Sequence, residues 1–137
     1  MQLQVQTLVK SDLASVWQCW ITPEHIVHWN AASDDWHTTR STQDVRLGGR
    51  FLSRMEAKDG SMGFDFEGTF TKVVEHQCLE YVMDNGRCVT VLFEPVAGGI
   101  KVTETFDAED EHPPEMQQQG WQAILDNFAH YVEHHRR

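Results

Sequence analysis

The 137-residue chain is short of basic side chains: 11 Lys and Arg stand against 21 Asp and Glu, a formal net charge of −10. Phosphate backbones and anionic lipid surfaces repel such a chain, so no nucleic acid and no membrane is expected as a partner. No apolar run approaches the roughly 18 residues that a membrane span needs. The opening MQLQVQTLVK lacks the apolar core of a signal peptide. Only three cysteines occur, Cys19, Cys78 and Cys88, with no CxxC spacing. An odd number inside periodic segments reads as free thiols acting as small hydrophobes in a cytoplasmic protein. A GxSxG elbow, an HExxH pair, a P-loop and a dinucleotide fingerprint are all missing, which removes the usual signatures of hydrolytic and nucleotide chemistry. No catalytic residue, cofactor or metal is therefore expected. With no internal repeat, low-complexity segment or linker, 1–137 reads as one domain, long enough to bury a core.

What is present is periodicity. Leu3, Val5, Thr7 and Val9 alternate with Gln4, Gln6 and Leu8, an opening strand. Ser11 reads as a helix N-cap with Asp12 in the first turn. Leu13, Val16, Trp17 and Trp20 then follow at i, i+3, i+4 and i+7, one apolar helix face. Thr22-Pro23 starts a second short helix with Ile26 and Trp29 inward. From Asp35 to Asp107 the pattern turns to strands over Arg50–Glu56, Gly63–Glu75, Cys78–Met83, Arg87–Glu94 and Ile100–Phe106, with one or two more between Trp36 and Leu47. Gly48-Gly49, Asp59-Gly60, Asn85-Gly86 and Gly98-Gly99 punctuate them, and such short turns make neighbours antiparallel. After an acidic loop, Glu109–His112, Pro113-Pro114 opens a long helix to about Glu133. Its apolar stripe runs through Met116, Gly120, Trp121, Ile124, Leu125, Phe128 and Val132. The expected fold is α+β: a curved antiparallel sheet of about six or seven strands wrapped around a long C-terminal helix, with two short helices after the first strand. His134–Arg137 reads as a frayed tail.

Several stretches carry a resemblance: VWQCW at 16–20, TPEHIVHW at 22–29, LGGRF at 47–51, MEAKDGSMGFDFEGTF at 55–70, VTETFDAED at 102–110 and GWQAILDNFAHYVE at 120–133. In this order they resemble the START-like helix-grip superfamily, also called SRPBCC. Within it they are similar to the C-terminal domain of activator of Hsp90 ATPase homologues. The resemblance implies a cavity between sheet and C-terminal helix, where members of the superfamily hold lipids, hormones or polyketides. The branch takes its name from a two-domain co-chaperone, so a chaperone partner is compatible with the resemblance but not implied by it.

One residue breaks the strand pattern. In Ile100–Asp107, reading IKVTETFD, Glu104 falls on the apolar face with Ile100, Val102 and Phe106. An inward carboxylate is costly unless it is paired or hydrogen-bonded. It reads as a polar anchor on the cavity wall, as a structural partner of Arg50 or Arg54, or as a rim group open to water. The loop from Asn30 to His37, flanked by Trp29 and Trp36, reads as a capped polar loop, as a gate over the cavity mouth, or, from Asp34 and Asp35 beside His37, as an acid–base site. His25 and His28, like His130 and His134, share helix faces. Without Cys or carboxylate partners they read as solvated surface rather than as metal ligands. Asp65 and Glu67 alternate with Phe64 and Phe66 and read as outward charge.

The expected function is binding of a small apolar or amphipathic ligand. The expected walls are Phe51, Ser53, Met55, Phe66, Tyr81, Met83 and Glu104 on the sheet, and Trp121, Leu125 and Phe128 on the helix. Trp29 and Trp36 stand near the mouth. The alternatives are a cyclase- or aromatase-like enzyme that uses the cavity, and a co-chaperone-like interaction module that uses the outer surface. Strand parity decides the wall, since one bulge flips every residue beyond it.

Overall fold

Asn85-Gly86 turns the chain as such a pair should. Gly86 takes φ 91°, a conformation that costs glycine little, and Met83 N–H bonds to the Arg87 carbonyl at 2.8 Å to close the hairpin. Repeated along the chain, hairpins of this kind build a sheet. The computed structural model describes residues 1–135. It shows β1 (Gln2–Val9), α1 (Leu13–Ile21), α2 (Pro23–Trp29), β2 (Trp36–Gln43), β3 (Arg50–Ala57), β4 (Gly63–Val74), β5 (Cys78–Met83), β6 (Cys88–Val96), β7 (Gly99–Asp107) and α3 (Pro114–His134). The seven strands are antiparallel in the order β1-β7-β6-β5-β4-β3-β2. The N-terminal strand closes onto the last one, Gln2 opposite Asp107 and Val9 opposite Ile100. Two register shifts, between Thr38 and Arg40 and between Phe70 and Lys72, bend the curled sheet further.

Helices cover both edges. α3 runs beside β1, where Gln118 and Gln122 donate to the carbonyls of Gln4 and Gln6 at 2.9 and 3.0 Å. Those carbonyls are acceptors of the kind an edge strand leaves unpaired. At the other edge α2 packs on β2, and the Thr38 hydroxyl donates to the Asn30 carbonyl at 2.7 Å. Asn127 on α3 reaches the Ala31 carbonyl at 2.6 Å, tying the helices together. Val9, Val16, Leu79, Val91, Val102, Phe106, Leu125 and Phe128 are fully buried, each stabilising the fold by about 1.5–3 kcal/mol on an area basis.

Three local expectations are corrected. Asp12, not Ser11, caps α1: its backbone is extended and its carboxylate accepts from Ser15 N–H at 2.7 Å. Met116 leaves the α3 stripe, being 56% exposed. The buried residue in that first turn is Gln117, whose amide accepts from Glu109 N–H and donates to the Glu109 and His112 carbonyls at 2.8, 3.0 and 2.7 Å. A polar plug thus stitches the acidic loop to the helix. At the C-terminus His134 is still helical, while Arg136 and Arg137 of the expected frayed tail lie outside the described residues.

None of the three cysteines forms a disulfide; Cys19 and Cys78 are buried and Cys88 is exposed on β6. Burial pushes the Cys78 thiol up, which slows its reaction further, since the thiolate is the reactive form. Iodoacetamide should therefore modify Cys88 in the native protein and all three thiols only after unfolding. Two or three rapid native additions by mass would contradict this packing.

Candidate functional site

Between the concave face of the sheet and α3 lies a pocket of about 220 Å3. Its floor is aromatic because β3, β4 and β5 send Phe51, Phe66, Phe70 and Tyr81 to the same face. Phe51 stands edge-on to Tyr81 with centroids 4.8 Å apart and tilts against Phe66 and Phe70 at 5.6 and 5.3 Å. These are favoured ring geometries, worth about 0.5–1.5 kcal/mol a pair beyond area burial. One side comes from Trp20, Ile26 and Trp29 of α1 and α2, with the two indoles 5.0 Å apart. Trp121 and Ile124 of α3 form the roof, and Trp121 stacks on Phe106 at 3.9 Å and 5°.

Glu104 enters this wall from the middle of β7. It pairs with Val91 on β6 and Val5 on β1 and is only 5% exposed. One alternative reading, a structural pair with Arg50 or Arg54, is overturned. Arg50 makes two bonds to Asp84, 2.7 and 2.8 Å, and Arg54 bonds Glu56 and Asp65 at 3.0 and 3.3 Å. Both lie on the sheet's other face, alternating with Phe51, Ser53 and Met55. Among the described residues the Glu104 carboxyl has neither hydrogen bond nor ion pair. Burial pushes it up to about 8, so at neutral pH it is mostly the uncharged acid. Tyr81 is raised well above the usual phenol range by burial and then by the Glu104 charge. Arg87, in the β5–β6 turn, also lines the pocket. Its Nε is buried without a hydrogen-bond partner, and its Nη1 donates to the Asp107 carbonyl at 3.5 Å.

Eight of the twelve expected wall residues meet here: Trp29, Phe51, Ser53, Met55, Phe66, Tyr81, Glu104 and Trp121. Four do not. Leu125 and Phe128 lie in the solid core, because the indoles of Trp20 and Trp29 each pack 4.8 Å from the Phe128 ring and fill that end. Met83 is buried at the end of β5 opposite Gly68. The Phe51 ring lies so close over Gly68 that an added Cβ would come within 3.0 Å of it. Trp36 stands behind Phe64, 5.9 Å away, and Phe64 takes its place at the pocket.

Sequence reasoning missed Phe64, Phe70, Trp20, Ile26 and Ile124, although Phe64 and Phe70 share the parity of Phe66, and the other three lie on inward helix faces. Asn30, Gln43 and Arg87 sit at loops and strand ends, where no period points inward. His25 and His28 hold Tyr131 rather than solvent alone: His25 Nδ1 lies 2.7 Å from its hydroxyl, and His28 stacks on its ring at 5.8 Å.

A family model described as activator of Hsp90 ATPase homolog 1-like protein matches residues 10–133. The chain belongs to this family. Among solved relatives, the solution structure of an AHSA1-like protein from Aeromonas hydrophila is 50% identical, covering 100% of this chain and 99% of that one at a TM-score of 0.90. One from Cytophaga hutchinsonii is 38% identical over 99% and 97% of the two chains, TM-score 0.84. A crystal structure from Chromobacterium violaceum is similar in fold, TM-score 0.87 at 20% identity, over 97% of this chain and 98% of that one. No curated protein matches the chain.

Proposed function

We propose that this family member binds one small apolar or amphipathic molecule in the pocket under α3. One observation supports the reading most strongly: a hollow walled by aromatic rings holds a single buried carboxyl that the scaffold does not use. Sites for small molecules have this composition, an apolar lining with a few placed polar groups. A volume of about 220 Å3 suits a compact, two-ring ligand better than a long lipid. Three cysteines without a disulfide fit a reducing, cytoplasmic location.

A second reading, a cyclase- or aromatase-like enzyme, draws on one fact. An acid raised to about 8 is poised near neutral pH, where general acids and bases work best. The family's description names activation of the Hsp90 ATPase; a chaperone contact ranks third for this chain.

The test is titration with N-phenyl-1-naphthylamine, whose emission rises in apolar surroundings. It should bind saturably, one molecule per chain. Ile124→Trp, which fills the roof, should weaken binding at least tenfold while the unfolding midpoint holds. Non-saturable uptake, or binding indifferent to Ile124→Trp, would sink the reading.

A further inference from the structure

The polar point of the pocket narrows the ligand's chemistry, on the reading that the pocket binds one. Glu104 is nine-tenths and more buried, flanked by Val5 and Val91 on the adjoining strands, and unpartnered among the described residues. Buried polar groups are nearly always hydrogen-bonded, and leaving an acid unpaired is costly. No hydrogen bond or ion pair among the described residues relieves that cost, so a partner from outside the chain is the natural complement. The surrounding groups say what kind. Trp20, Trp29, Phe51, Phe66 and Trp121 present rings to the same hollow. Ring faces carry negative potential and attract organic cations, most strongly where water is excluded.

We propose that the pocket takes a compact hydrophobic amine, its ammonium paired with Glu104 and its apolar body held among the indole and phenyl rings.

The guanidinium in the wall does not compete for that position. Arg87 lies by Asp107, three residues along β7 from Glu104, which is about 10 Å of strand. Burial alone accounts for the raised Glu104 carboxyl; no nearby cation pulls it down. Arg87 is left for an acceptor on the far end of the ligand. Proton balance follows from the two partners. The empty pocket holds Glu104 as the acid at pH 7, and the amine arrives as ammonium. Their pairing leaves carboxylate beside ammonium and releases one proton to solvent.

Isothermal titration at pH 7 with 1-naphthylmethylamine, 1-naphthylmethanol and 1-naphthylacetate tests this. The amine should bind at least tenfold more tightly than the alcohol. Its heat should differ between phosphate and Tris buffers as release of close to one proton requires, while the alcohol's heat should not. Glu104→Gln should bring the amine down to the affinity of the alcohol, with tryptophan fluorescence confirming that the variant unfolds cooperatively. Proton release is read on the wild type, so a poorly folding variant does not rescue the idea. Equal affinity for amine and alcohol would overturn the proposal while leaving the binding reading intact. So would a preference that survives Glu104→Gln. A preference for the acetate would overturn it too, assigning the polar end to Arg87. Binding of none of the three would remove the binding reading itself, and the amine with it.

Discussion

Phe128→Ala should lower the free energy of unfolding by about 3–5 kcal/mol, the range for deleting a fully buried phenylalanine. Phe128 is completely buried and closes the seam between α3 and the two short helices, edge-on to Trp20 and Trp29 at 4.8 Å each. Removing it takes away transfer free energy and both aromatic contacts, and indoles cannot slide together across the gap. Met116→Ala on the same helix removes a 56% exposed side chain and should stay within about 0.5 kcal/mol. Urea midpoints at constant m-value read the difference. A loss below about 1.5 kcal/mol for Phe128→Ala would mean that α1 and α2 are not packed on α3 as described.

That seam also shows where the sequence stops being informative. Trp121, Ile124, Leu125 and Phe128 all lie on one stripe, and the stripe was legible from its spacing. Which part of it faces a hollow depends on where α1 and α2 come to rest, a contact between residues about a hundred positions apart in the chain. Trp20 and Trp29 reach Phe128, so Leu125 and Phe128 are core, whereas Trp121 and Ile124 stay open to the pocket. The sheet was more legible, because alternation is local. Phe51, Ser53 and Met55 face inward as expected, and the same parity sends Arg50 and Arg54 outward. Read strictly, that parity already excluded the two arginines as partners of Glu104. What parity does not show is that no other group replaces them. Arg87 had no signal at all, since a turn residue belongs to no period. The bulge between Phe70 and Lys72 was invisible for the same reason, but it lies beyond the wall and moves none of the floor rings.

Glu104→Gln should change how stability depends on pH, and the sign is opposite to that of most carboxylates. Glu104 moves from its usual value near 4.5 in the unfolded chain to about 8 in the folded one. Between those values the folded state holds a proton that the unfolded state has released, so stability falls as pH rises. Below about 4.5 both states are protonated and the cost is absent; above about 8 both are ionised and it is complete. Between pH 5 and pH 8 the wild type should lose roughly 2–5 kcal/mol relative to Glu104→Gln, at about 1.4 kcal/mol per pH unit of unequal protonation. Asp59, Asp84 and Glu109 shift the other way, held down by hydrogen bonds from Ser61, Arg50 and His112. They are common to both proteins and cancel in the comparison. A buried Gln amide adds its own constant penalty, so the diagnostic is the difference in slope, not the offset at any one pH. Urea unfolding at half-unit steps from pH 5 to pH 8 measures it. Diverging curves would show a side chain retained at a cost to the fold, the usual trade-off at a site kept for function. Parallel curves would mean that Glu104 is ionised at rest, its charge already satisfied, and that the pocket offers an amine no unpaired acid to meet.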